Sequence, residues 1–118
     1  MPYLSTKARK ETMNFDEYQS KALSFRVPFA DEQYALLNIG GEVGELQGLV
    51  AKGRRDGRGL TYDMNVKKEL GDILWHVAVI AADHGYALSD IAYGNIWKLS
   101  ARKEAGTIQG SGDNRFVS

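Results

Sequence analysis

The stretch Asp31-Glu-Gln-Tyr-Ala-Leu-Leu-Asn-Ile-Gly-Gly-Glu-Val-Gly-Glu-Leu-Gln-Gly-Leu-Val-Ala-Lys52 decides how the rest of the chain is read. Leu36, Ile39, Val43, Leu46 and Val50 recur at three- and four-residue spacing, the pattern of one apolar helix face. Gly40, Gly41, Gly44 and Gly48 oppose it, since each costs roughly 1 kcal/mol relative to Ala in a helix interior. The stripe runs unbroken through the glycines, so the spacing predicts a helix over about 32–52 with Asp31 as its cap. Small residues in it would let another helix or a ligand approach closely.

Outward from that helix the same periodicity repeats. Gly53-Arg-Arg-Asp-Gly-Arg-Gly59 reads as a basic loop. A helix over about 63–84 follows, with Val66, Leu70, Ile73, Val77, Ile80 and Ala81 on one side and Gly85 as its C-terminal cap. Ser89 or Asp90 opens another, over about 89–105, carrying Ile91, Ile96 and Leu99 and ending at Gly106. Toward the N-terminus, Asn14 and Glu17 form a capping-box pattern for a short helix over about 15–25, closed by Pro28. Residues 1–13 read as a polar arm and 106–118 as a glycine-rich tail. No strand pattern and no internal repeat is present. The fold class is all-α.

At 118 residues the chain suits one domain, 1–118. Fifteen Lys+Arg balance fifteen Asp+Glu, so the basic excess typical of nucleic-acid binders is missing and no nucleic-acid partner is expected. Zero cysteines exclude disulfides, thiolate zinc sites and a cysteine nucleophile, and suit a reducing compartment. The first fourteen residues lack the apolar stretch of a signal peptide, and the longest apolar run, Val77–Ala82, falls far short of the ~20 residues that span a bilayer. A soluble, cytoplasmic protein without a membrane partner is expected.

No glycine-rich stretch precedes Lys-Ser or Lys-Thr, and no nucleophile elbow stands around a serine. The acids are more informative. Two pairs lie three residues apart, Glu42–Glu45 and Glu69–Asp72. Fifteen acids in 118 positions give roughly two such pairs by chance, so placement matters and number does not. With each first acid at zero, the second lies near 300° and the apolar stripe between about 20° and 120° on both helices. Helices packed antiparallel through those stripes would bring four carboxylates to one spot, where mutual repulsion demands cations.

All-oxygen ligands select Mg²⁺ or Mn²⁺ over zinc or copper. Di-iron bundles use Glu-x-x-His, whereas the corresponding positions here are Gly48 and Trp75. His76 shares the arc of Glu69 and Asp72 and is placed to support a ligand. Spacing alone does not separate this picture from a solvated acidic shoulder, the commoner use of such faces. Asn95, Lys98 and Arg102 share one arc of the last helix and would suit a polyphosphate, though an ordinary basic face has the same look. Arg54, Arg55 and Arg58 fit a solubilising loop, and Trp75, Tyr93 and Trp97 fit core or interface positions.

Taken together, Glu42-Val-Gly-Glu45, a 23-residue spacer and Glu69-Leu-Gly-Asp72 resemble the signature of the MazG-like all-α nucleoside triphosphate pyrophosphohydrolases. The likeness extends from Tyr18-Gln19 through Asn95-Ile-Trp-Lys98 to the tail Gly106-Thr-Ile-Gln-Gly-Ser-Gly-Asp-Asn-Arg115, which looks like that of single-domain phage or bacterial members. The resemblance implies that Glu42, Glu45, Glu69 and Asp72 bind Mg²⁺, with Mn²⁺ as a substitute. It further implies that water attacks the phosphate chain of a nucleoside triphosphate, giving a monophosphate and pyrophosphate. Asn95 and Lys98 match nucleotide- or phosphate-contacting positions, Arg102 less closely, and Glu45 is the expected proton acceptor. Members are typically dimers or tetramers with sites completed by a neighbouring chain, so a homodimer or homotetramer is expected. Phosphoribosyl-ATP pyrophosphohydrolysis is the alternative activity, and a non-catalytic helical regulator the alternative class.

Overall fold

The computed structural model describes residues 12–27 and 33–106. They form four helices, α1 Phe15–Leu23, α2 Tyr34–Asp56, α3 Tyr62–Asp83 and α4 Leu88–Ala105, with no strand among the described residues. The chain is all-α, as the periodicity predicts. No described helix is long and apolar enough to cross a membrane.

The capping box of α1 is formed. The Glu17 amide donates to Asn14 Oδ1 at 2.7 Å, and the Asn14 amide donates to Glu17 Oε1 at 2.9 Å. The helix ends at Leu23, two residues early, because the amides of Ser24, Phe25 and Arg26 turn to carbonyls three residues back. Pro28 and the expected cap Asp31 lie outside the described residues, as do most of the arm and tail.

Helix α2 absorbs all four glycines, and it runs past the expected end at Lys52 to Asp56. Arg54 and Arg55 therefore sit in its last turn, where cations favour the carbonyl end of the helix dipole, and not in a loop. Gly57, with φ of 89°, stops it. Within the chain, the expected close approach of another helix is not made at Gly40, Gly41, Gly44 and Gly48, where a β-carbon would meet nothing within 4 Å. It is made instead at Gly53, where a β-carbon would come within 2.8 Å of the Tyr62 ring. The Arg58 guanidinium lies 4.6 Å from the centre of that same ring.

Helices α2 and α3 form an antiparallel hairpin, while α1 and α4 pack on α3 and on each other and leave α2 untouched among the described residues. The packed face of α2 is not the expected stripe. Leu36, Val43 and Val50 stay exposed, and Ala35, Ile39, Glu42, Leu46, Leu49 and Gly53 turn inward. The face is thus rotated by about 60°, and it passes through Glu42. On α3 the rotation has the same sense: Leu70 is exposed, whereas Glu69, Ile73 and His76 are half-buried or buried. Three partners crowd α3, which explains why its second half carries most of the core.

That core is small. Ala22, Ala78 and Leu88 are buried together, with Tyr18, Trp75 and Val77 packed against them. Leu37, Tyr93, Ile96 and Trp97 remain largely exposed.

Candidate metal centre

Because the packed faces run through the acid pairs, the α2–α3 hairpin carries carboxylates into its own seam. Glu42, Glu69 and Asp72 each offer an oxygen within 4.8 Å of the others, and all three are half-buried. Glu45, one turn along α2, is more exposed and lies beside Glu69. Of the four acids expected to converge, Glu42, Glu69 and Asp72 come within the reach of one ion, and Glu45 stands beside Glu69 outside that group.

The electrostatics follow from that crowding. Burial pushes the Glu69 carboxyl above the usual carboxylate range, and Glu45, then Glu42 and Asp72, push it further by repulsion. Glu69 Oε1 is fully buried and has no hydrogen-bond donor. A buried oxygen without a donor amid like charges is costly unless a cation satisfies it. Three converging carboxylates with that orphaned oxygen fit a hard divalent cation held by oxygen ligands.

Two neighbours fix the surroundings. His76 is buried with Nδ1 at 2.7 Å from the carbonyl oxygen of Asp72, which can only accept, so Nδ1 donates and anchors the ring to its own helix. The ring meets Trp75 edge-on at 5.0 Å. On the far side, the Tyr18 phenol is raised above its ordinary range by burial and, second, by the charge of Asp72.

A cleft of about 390 Å³ opens beside the acids. Tyr34, Asn38, Glu42 and Glu45 of α2 form one side, Trp75 and His76 of α3 another, and Phe25, Arg26 and Val27 after α1 a third. Such a mixed apolar and polar cleft against a carboxylate cluster suits an organic group joined to phosphates. Tyr34 and Asn38 share the α2 face of Glu42 at four-residue spacing, a signal the apolar stripe concealed, whereas Phe25 and Arg26 reach the cleft only through contacts distant along the chain.

Asn95, Lys98 and Arg102 lie on α4, respectively exposed, half-buried and buried. None of them lines this cleft. Arg55 pairs with Asp56 on the surface, and Arg58 with Tyr62, at the far end of the hairpin.

Comparison with known proteins agrees with this geometry. The family model described as the MazG nucleotide pyrophosphohydrolase domain matches residues 31–107, a span that holds all four carboxylates. The Gene 37 protein of Mycobacterium phage L5 is 41% identical over 85 residues, covering 70% of this chain and 75% of that protein. No solved structure matches.

Proposed function

This chain belongs to the MazG nucleotide pyrophosphohydrolase family, and from that premise we propose that it hydrolyses nucleoside triphosphates to a nucleoside monophosphate and pyrophosphate, with Mg²⁺ as cofactor and Mn²⁺ as a substitute. The observation that carries the reading is the convergence of Glu42, Glu69 and Asp72, with a buried Glu69 oxygen that has no donor. In it, Glu42, Glu45, Glu69 and Asp72 hold the metal. When bound, the ion supplies charge neutralisation to the phosphate oxygens and acidity to the attacking water.

The side chains do the rest. Glu45 borders the cleft and is the most exposed of the four acids, which suits a carboxylate that accepts the proton of the attacking water. The water oxygen bonds to the α-phosphorus as the bridge to the β-phosphate breaks, and pyrophosphate leaves with the bridging oxygen. Asn95 contacts the nucleotide, while Lys98 and Arg102 balance the charge of the departing pyrophosphate.

Because α4 does not border the cleft of its own chain, this reading has a second copy bring Asn95 and Lys98 to the site, with Arg102, buried one turn further along α4, adding its charge from behind them. It makes the protein a homodimer or homotetramer, which the exposed Leu37, Tyr93, Ile96 and Trp97 support. We place its work in the cytoplasm, without a nucleic-acid or membrane partner.

The test is pyrophosphate release across a panel of canonical and modified nucleoside triphosphates and phosphoribosyl-ATP, with Mg²⁺. Release from the triphosphates supports the reading. Release from phosphoribosyl-ATP alone redirects it to that substrate, and inactivity on all makes the chain a helical regulator.

A further inference from the structure

Phe25, Arg26 and Val27 form the third wall of the cleft, beside those of α2 and α3. Helix α1 delivers this wall yet makes no contact with α2 among the described residues. The described bonds that hold this wall run to α3. Two tethers join the end of α1 to that helix. Trp75 Nε1 donates to the carbonyl of Ala22 at 2.9 Å. Arg26 closes a two-pronged pair on Asp83, Nη1 to Oδ1 at 2.6 Å and Nη2 to Oδ2 at 2.7 Å.

The geometry of that pair is unusually committed for a surface ion pair. The Asp83 side chain is 8% exposed and that of Arg26 22%, so water screens it poorly. Asp83 is the last residue of α3, about two turns from His76, which borders the same cleft. Arg26 thus ties its own flanking residues, Phe25 and Val27, to the helix that carries two of the acids. Phe25 and Val27 are themselves exposed apolar groups, able to pack on a ligand but not to move protons.

We infer that the Arg26–Asp83 pair is a positioning device that holds the Phe25–Val27 wall against the bound nucleotide, and that it governs nucleotide affinity and not the hydrolytic step. The inference rests on the pyrophosphohydrolase reading of the site. A wall that touches the ligand alike before and during reaction contributes uniform binding, and its displacement raises KM without lowering kcat.

Asp83→Asn keeps the shape and removes the charge; Arg26→Lys keeps the charge and removes the fork. Each is assayed with the triphosphate that the wild type hydrolyses best. KM is expected to rise about five- to tenfold with kcat held within about twofold. The rise in melting temperature on adding Mg²⁺ stays at its wild-type size, because the carboxylates are untouched. An unchanged KM in both variants overturns the inference, and so does a joint loss of affinity, turnover and Mg²⁺ response, which marks a general structural role.

If the wild type releases pyrophosphate from no triphosphate, the functional reading fails on its own. The wall is then judged by acrylamide quenching of Trp75 in a Trp97→Phe background. Steeper quenching after Asp83→Asn upholds its dependence on the pair, and equal quenching overturns it.

Discussion

Gln19 Oε1 accepts the backbone amide of Leu88 at 3.0 Å, so a side chain of α1 closes the open N-terminus of α4. The residue that should cap α4, Ala87, has no side-chain acceptor. The Gln19 amide nitrogen also donates to the carbonyls of Ala78 and Tyr86, both at 3.1 Å. One buried glutamine therefore satisfies three backbone groups and joins three helices.

Gln19→Leu removes those bonds and leaves buried backbone groups without partners. Each unsatisfied group costs about 1–3 kcal/mol, so unfolding stability should fall by about 2–4 kcal/mol in total. Urea denaturation followed by circular dichroism measures it. A loss within about 0.5 kcal/mol, the range of ordinary surface changes, would contradict the role given to Gln19.

A second α1 side chain reinforces the same helix end, with a pH signature. Asp16 accepts the Ser89 hydroxyl at 2.7 Å and the Ser89 amide at 3.0 Å. These two bonds, the hydroxyl first, hold its carboxyl below the usual range against a small opposing effect of burial. A carboxyl depressed in the folded state stabilises above its unfolded value and loses that contribution as pH falls through the folded one. Below about pH 4 the wild type should lose stability more steeply than Asp16→Asn. Parallel pH–melting profiles for the two proteins would exclude it.

Glu69 carries the opposite sign. Its carboxyl is raised in the folded state, so ionisation there opposes folding, and the penalty is complete above the folded value and vanishes as pH falls through it. In a chelator at pH 8, Glu69→Gln should melt higher than the wild type. The gap should close as the pH drops into the carboxylate range. A Glu69→Gln protein that melts lower at pH 8 without metal would show that the carboxylate has a stabilising partner in the chain.

The glycines of α2 supply a further prediction. Gly40 is exposed within a helix and a β-carbon there meets nothing. Gly40→Ala should therefore raise stability by about 0.5–1 kcal/mol through helix propensity and a less flexible unfolded chain. A decrease would mean that another molecule packs closely against that face.

The helices were legible from the sequence because their signals are local. Asn14 with Glu17 marks the start of α1, Gly85 and Gly106 mark the ends of α3 and α4, and the stripe through Gly40–Gly48 outweighs the glycines, though the glycine-rich run after Lys52 placed the end of α2 four residues early. The convergence of Glu42, Glu69 and Asp72 was legible in part, from the common offset of the two acid pairs. The rotation of the packed faces was not. Periodicity locates apolar residues, and here it pointed to Leu36, Val43, Val50 and Leu70, which the chain leaves exposed. The same limit hid the clamps on α4 and the Arg26–Asp83 pair, since no local pattern links residues 57–73 positions apart.

As the proposed metal centre of a nucleoside triphosphate pyrophosphohydrolase, the four carboxylates must be needed for Mg²⁺-dependent turnover. The most direct measurement is Mg²⁺-dependent pyrophosphate release by the wild type and by Glu69→Gln, at matched fold by circular dichroism. The wild type should release equimolar monophosphate and pyrophosphate, and the variant should lose at least about 100-fold in turnover, the scale of removing a metal's charge stabilisation. A folded Glu69→Gln protein that turns over at the wild-type rate would contradict that requirement.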